Sequence, residues 1–340
     1  MSDPVLELEE LAVEFSVDDG VVHAVNGVSV HVDPGETLAI VGESGSGKTV
    51  AALAVMGLIP PPGRIVGGDV RLLGRALVGL REREYRKLRG ADIAMIFQDP
   101  LSSLNPAFRV GDQIAEALTV HGALSKRAAR QRAAELLDLV GIPQPEVRVR
   151  YFPHQLSGGM RQRAMIAMAI ANSPKLLIAD EPTTALDVTV QAQVLEVLRA
   201  AQREVNAALL LITHDLGIVA GTADRVAVMY AGRVVEDAGV DELFTTPRHP
   251  YTRALLASLP RVDAREGERL QVIPGVPPNP LALPDGCAFA PRCAFVVDAC
   301  RDEVPALRAI EDGRLVRCVR VEELDGTPVG EDTPAVSWRA

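Results

Sequence analysis

The run Gly42-Glu43-Ser44-Gly45-Ser46-Gly47-Lys48-Thr49 sets three glycines, a lysine and a threonine at the spacing GxxxxGK[ST]. Glycines without Cβ atoms let backbone N–H groups curl around phosphate oxygens. Lys48 would bring a full charge to the outer phosphates, and Thr49 would offer a hydroxyl to Mg²⁺. A second set of groups lies far along the chain, where the apolar run Leu176–Ala179 ends in Asp180-Glu181. Asp180 would hold Mg²⁺, directly or through water, and Glu181 would polarise an attacking water as general base. His214 closes another apolar run, Leu209–Thr213, next to Asp215, where its ring could sense or stabilise a γ-phosphate. Each piece alone has a bland reading: a chance glycine run, a solvated strand end, a structural histidine. Together they specify a triphosphate site. His23, His31, His121, His154 and His249 receive no role. A dinucleotide-binding GxGxxG fails, because Val50 stands where the third glycine would follow Gly45 and Gly47.

The third chemical cluster is Cys287-x5-Cys293-x6-Cys300-x17-Cys318, which holds all four cysteines of the chain. Four thiolates suit an iron–sulfur cluster or tetrahedral zinc. No pair has the two-to-four spacing of a zinc ribbon, which favours [4Fe–4S]; zinc and simply packed thiols are the alternatives. The expected role is structural, since a small proline-rich tail has little core of its own. Arg292 and Arg320, near these cysteines, read as surface charges.

Positioning such groups requires a strand–loop–helix order. Thr37–Val41 reads as a buried strand running into the glycine loop, and a helix should follow from Lys48 with Ala51, Ala52, Leu53, Val55 and Met56 on its apolar side. Leu176–Ala179 and Ala208–Thr213 read as strands separated by a helix over 188–204, so this part is strand–helix–strand. Val5–Phe15 and Val21–Val32 read as strands around an Asp18-Asp19-Gly20 turn. Residues 80–150 read as mostly helical, with Ser125 capping a helix that stops at Gly141. The mixed-charge run Arg81–Arg89 reads as a solvated helix face.

At 340 residues the chain suggests about two domains of ~150 residues. With 48% hydrophobic and 24% charged residues it is globular. No apolar run reaches the ~18 residues of a membrane span, and the start lacks a basic region followed by an apolar one, so no secretory leader is expected. A net charge of −10 argues against nucleic acid as a partner. Composition shifts after residue 255: six of the 24 prolines fall in Val272–Pro291, and the cysteines follow. Residues 1–255 therefore read as one α/β ATPase unit, with a helical subdomain at about 99–170, and 256–340 as a small cysteine-containing domain.

Leu156-Ser157-Gly158-Gly159-Met160-Arg161-Gln162-Arg163, upstream of the acidic strand, resembles the signature motif of ATP-binding cassette (ABC) ATPases. The physics agrees: Ser157 can cap a helix whose glycines leave its N–H groups open to an anion. Met160 replaces the common Gln there. Gln98, in Ile96-Phe97-Gln98-Asp99, is similar to the Q-loop glutamine that attends Mg²⁺ and the attacking water. Ala185-Leu186-Asp187 is similar to the D-loop that crosses the dimer interface, with Thr184 where Ser is usual. Phe15 resembles the aromatic that stacks on adenine. The resemblance implies a P-loop ABC nucleotide-binding fold with a β-rich N-terminal subdomain, a RecA-like core and a helical signature subdomain. Ser157, Gly158 and Gly159 would then face the nucleotide of a partner ATPase, ATP would bridge the pair, and hydrolysis would part it.

Within that family, Phe97–Pro106, His249-Pro250-Tyr251-Thr252-Arg253-Ala254-Leu255-Leu256 and Gly286-Cys287-Ala288-Phe289-Ala290-Pro291-Arg292-Cys293 resemble the ATPase subunits of oligopeptide/dipeptide importers. This implies a peripheral subunit on the cytoplasmic face of the membrane that hydrolyses ATP with Mg²⁺. Its partners would be a second ATPase, two permease subunits and an extracytoplasmic binding protein. Nickel importers share much of the pattern. An ABC ATPase of DNA repair would need a long coiled-coil insertion and a basic surface, and neither is present. A redox-regulated ABC ATPase outside transport is the remaining class, against which intact Lys48, Asp180, Glu181 and His214 argue.

Overall fold

A computed structural model describes residues 3–99, 103–122, 124–184, 186–259, 272–310 and 313–324. The N-terminal hairpin pairs β1 (Leu6–Val17) with β2 (Gly20–Val32) across Asp18-Asp19, as the turn residues predict. On β1, Leu6 and Leu8 face the core, and so do Leu11 and Val13. That three-residue step breaks strict alternation. Glu10, at φ 47°, forms the register shift that returns the apolar face to the interior. With β4 (Gly63–Leu72) and β5 (Arg75–Ala76) this makes an antiparallel sheet in the order β2-β1-β4-β5.

The second sheet has eight strands in the order β11 (Arg308–Ala309), β12 (Leu315–Val316), β10 (Arg233–Gly239), β9 (Arg225–Tyr230), β3 (Thr37–Val41), β8 (Ala208–Thr213), β7 (Leu176–Asp180) and β6 (Ile93–Ile96). Its parallel part comprises β6, β7, β8, β3 and β9. Strands covered on both faces read as unbroken apolar runs, which is the pattern of TLAIV and ALLLIT. Alternate residues of β7 and β8 serve different cores. Leu176, Ile178, Leu210 and Ile212 pack toward the antiparallel sheet and the helix α1 (Lys48–Met56). Leu177, Ala179, Leu209 and Leu211 pack toward the helices Val110–His121, Lys126–Leu139 and Gly158–Ala169. Ser125 accepts from Ala128 N at 3.3 Å, the expected cap.

One part of the chain departs from the sequence reading. Within the stretch read as helical, Ile93–Ile96 is a strand paired parallel with β7. Four apolar residues are too few to show a period, and the sheet edge decides their state. Toward the C-terminus, β12 (Leu315–Val316) pairs with β10 (Arg233–Gly239), and β11 (Arg308–Ala309) pairs with β12. Residues after 255 thus extend the main sheet. They also share a core in which Phe289 meets Tyr230 and Tyr251 edge to face and the two tyrosine rings are tilted against each other. No described helix is long and apolar enough to cross a membrane.

Candidate functional site: a phosphate loop facing a three-donor carboxylate

Parallel register assembles the site. Val41 pairs with Thr213 and Asp180 with Ile212, so the ends of β3, β8 and β7 lie side by side. Ile96 pairs with Ala179, which brings Gln98 to the same edge. The carboxyl ends of parallel strands are where α/β folds hold ligands.

The loop between β3 and α1 is shaped by its neighbours. A Cβ on Gly42 would lie 2.1 Å from the Met229 carbonyl oxygen, and one on Gly47 would lie 2.3 Å from that of Ala24. Glycine is needed there because β9 and β2 press against the loop. Lys48 Nζ donates to the carbonyls of Gly42 at 2.8 Å and Glu43 at 3.0 Å, and reaches Ser46 Oγ at 3.4 Å. Burial lowers the Lys48 pKa, while the charges of Glu181, Asp180 and Glu43 oppose the shift. Ser44 and Gly45 lie at the loop tip, between Glu43 and Ser46.

Thr49 Oγ1 donates to Asp180 Oδ1 at 3.1 Å. Burial raises the Asp180 pKa, and the Thr49 hydroxyl and Lys48 hold it back. A hydroxyl and a carboxylate at that distance, beside a lysine, are the donor set Mg²⁺ takes next to phosphates. Glu181 is the hub. Its Oε2 accepts from Gln98 Nε2 at 3.1 Å and from Thr184 Oγ1 at 2.9 Å, and His214 Nδ1 stands 3.3 Å from its Oε1. The backbone of Glu181 is left-handed at φ 46°, with its N–H on the Ile212 carbonyl. Gln98, Asp180, Glu181, His214, Lys48 and Thr49 therefore converge, as their types and order suggest. Thr184 joins them unforeseen; its neighbour Ala185 lies outside the described residues, as do Pro100, Leu101 and Ser102.

Ser157 caps the signature helix, accepting from Met160 N at 3.3 Å. Gly158 and Gly159 pack against Leu186 and Val190; a Cβ on Gly159 would meet Val190 Cγ1 at 2.7 Å. Among the described residues, no hydrogen bond joins this turn to the phosphate loop of the same chain. Asp187 caps the helix Val188–Val205, accepting from Val190 N at 3.0 Å. Phe15 is half-buried on β1, its ring against Gly63 and Ile59.

Cys287, Cys293, Cys300 and Cys318 all line one pocket. Burial raises the thiol pKa of Cys287, pushes Cys293 up to about 12 and Cys318 up to about 11. Backbone N–H groups of Phe295 and Arg320 point at the sulfurs of Cys293 and Cys318, each at 3.4 Å. Among the described residues no three His, Cys, Asp or Glu side chains stand close enough to share one metal ion. Arg292 is not a surface charge. Its side chain is 4% exposed and paired with Glu43 of the phosphate loop. Only the aromatic and proline residues around it hinted at burial.

The fold and this site define an ABC-type P-loop ATPase cassette. Residues 25–184 match the ABC transporter family, and residues 235–300 match the oligopeptide/dipeptide transporter C-terminal region. The chain is 56% identical over 324 residues to the oligopeptide transport ATP-binding protein OppD of Mycobacterium tuberculosis, covering 95% of this chain and 53% of that protein. It thus spans about half the length of that relative. It is 54% identical over 313 residues to OppD of Bacillus subtilis, covering 92% and 87% of the two chains. With the dipeptide transport ATP-binding protein DppD of Escherichia coli it shares 53% over 313 residues, covering 92% and 95%. Among solved structures, the dimeric bacterial ABC transporter cassette MJ0796 superposes with a TM-score of 0.62 at 26% identity, covering 69% of this chain and 98% of that one. The chain belongs to the oligopeptide/dipeptide transporter family of ABC ATP-binding subunits.

Proposed function

We propose that this chain is the ATP-hydrolysing subunit of an importer of di- and oligopeptides. It would act on the cytoplasmic face of the cell membrane with a second ATPase, two permease subunits and an extracytoplasmic binding protein. The observation that carries the ATPase reading is the Glu181 carboxylate, gripped by Gln98, Thr184 and His214 beside an intact phosphate loop. The peptide substrate rests on the relatives, which are named for oligopeptide and dipeptide transport.

In this reading residues 42–49 bind the phosphates of ATP, Lys48 turns from the loop carbonyls toward the outer phosphates, and Phe15 meets the adenine. Thr49, Asp180 and Gln98 would hold Mg²⁺, which would supply neutralising charge at the phosphates. Glu181 orients the attacking water and accepts its proton at a carboxylate oxygen, while Gln98 and Thr184 on Oε2 and His214 beside Oε1 hold the carboxylate in place. Ser157, Gly158 and Gly159 would serve the partner's nucleotide from the capped start of the helix Gly158–Ala169. Asp187 lies at the interface between the two ATPases. Residues 1–255 form the ATPase domain, and 256–340 the transporter-type C-terminal domain.

That C-terminal part would hold a [4Fe–4S] cluster through Cys287, Cys293, Cys300 and Cys318. Four thiols lining one pocket, with N–H donors on two sulfurs, support a group wider than a single ion, which sets its thiolates further apart than zinc does. Its contribution would be to tie together a segment that has little core of its own.

Affinity purification of the tagged chain from membranes tests the assembly. Two permeases and a second ATPase should co-purify, and the preparation should hydrolyse ATP faster when peptide-loaded binding protein is added. Soluble partners alone, or nucleic acid, would overturn the reading. Iron and sulfide analysis of anaerobically purified protein tests the cluster; a colourless protein with one zinc would replace it.

A further inference from the structure

Three glycines make the phosphate loop pliable, and pliability weakens binding unless the fold removes it. Within the loop, Glu43 is held at both backbone and side chain by residues outside every nucleotide motif. Its N–H donates to Tyr251 Oη at 2.9 Å. Its carboxylate takes Arg292 as a two-pronged pair, Nη1 to Oε2 at 2.6 Å and Nη2 to Oε1 at 3.0 Å, across 249 residues of chain. Arg292 is itself fixed: Nε donates to the Pro274 carbonyl at 2.9 Å and Nη1 to Tyr230 Oη at 3.2 Å. The Glu43 carboxylate drives the Arg292 pKa further up. The carbonyl of Glu43 is in turn a partner of Lys48 Nζ. A short path therefore runs from Arg292 through Glu43 to the lysine that meets the phosphates.

Arg292 is also tied to the cysteines. It ends the 3₁₀ turn Ala290–Arg292, which lies between Cys287 and Cys293. Ala290 N donates to the Cys287 carbonyl at 2.9 Å, and Cys287 N donates to the Cys300 carbonyl at 2.8 Å. The turn that carries the guanidinium is thus hydrogen-bonded into the cysteine segment.

We propose that Arg292 is a positioning residue for the phosphate loop, through which the packing of the cysteine pocket sets the affinity for nucleotide. This rests on the ATP-binding reading above. Breaking a half-buried bidentate pair leaves the Glu43 carboxylate without its partner and frees the loop, so ATP binding weakens while the Glu181 centre stays intact.

The test measures ATP binding to the purified full chain by calorimetry, and KM and kcat in the assembled transporter. Arg292→Ala should raise Kd and KM for ATP about tenfold with kcat within about twofold, the loss of one charged hydrogen-bonded pair. Arg292→Lys, which offers a point charge in place of a fork, should fall between. Cys300→Ser should raise Kd in the same direction, and adding it to Arg292→Ala should worsen binding no further. Unchanged Kd in Arg292→Ala, or a fall in kcat alone, overturns the positioning role. Wild-type affinity in Cys300→Ser, or full additivity, overturns the link to the cysteines. If Arg292→Ala fails to fold, Glu43→Gln replaces it, with the same rise expected and an unchanged Kd refuting. Lys48→Ala separates the two readings. A wild-type chain that binds no ATP sinks the proposed function. Binding lost in Lys48→Ala but kept by the Arg292 variants sinks this inference alone.

Discussion

Replacing Glu181 with glutamine removes one proton acceptor and almost nothing else. The amide oxygen can occupy the place of Oε2 and keep both of its donors, Gln98 Nε2 at 3.1 Å and Thr184 Oγ1 at 2.9 Å. The amide NH₂ then faces His214 Nδ1, which a neutral ring can offer as an acceptor. Shape, packing and the φ 46° backbone should survive. The loss is the base itself, worth about 10²- to 10⁴-fold in rate, or about 3 to 5 kcal/mol of barrier. Nucleotide binding should be equal or tighter, since a carboxylate facing the triphosphate is gone while the contacts of Lys48 with Gly42 and Glu43 remain. Phosphate release from the assembled transporter and ATP retention after gel filtration provide the two readouts. Glu181→Gln should hold ATP and release almost no phosphate. Turnover within about threefold of wild type would remove Glu181 from the base role, because no general base is worth so little.

Two further predictions concern the scaffold. Gly42→Ala should cost about 2 kcal/mol or more in chemical denaturation and abolish ATP binding, since the new Cβ would lie 2.1 Å from a backbone oxygen at φ +152°. Gly35→Ala, at φ +76° with open space around it, should cost only about 1 kcal/mol and leave ATP binding unchanged. Equal effects of the two would refute the close-approach argument. Burial holds His249 at about 3 against an ordinary 6.5. Below pH 6.5 the unfolded chain takes up a proton that the native state refuses, so this stability is complete above pH 6.5 and drains as pH falls toward 3. His249→Asn keeps an acceptor for Tyr251 N, which His249 Nδ1 now caps at 3.0 Å, and does not titrate. Between pH 6.5 and 5, wild type should lose about 2 kcal/mol relative to the variant. Parallel pH profiles would show that His249 is not the buried neutral ring described.

The sequence alone determined the parts whose chemistry is local. Residues 42–49 are one contiguous segment, so its glycines, lysine and threonine declare their task by spacing. Strands buried on both faces, such as Thr37–Val41 and Ala208–Thr213, declare themselves as unbroken apolar runs. The Ser157 and Ser125 caps act within a single turn and were legible for the same reason. Tertiary structure alone decided what distant segments do to one another. Strand register sets Thr49 against Asp180, across 131 residues, and places Gln98 on Glu181, across 83. The steric need for Gly42 comes from a carbonyl on β9, and Arg292 finds its carboxylate in a loop at the other end of the chain. The strand at Ile93–Ile96 exists because β7 is there to pair with it. No local period or motif encodes such pairings, since they depend on which surfaces meet once the cores have closed.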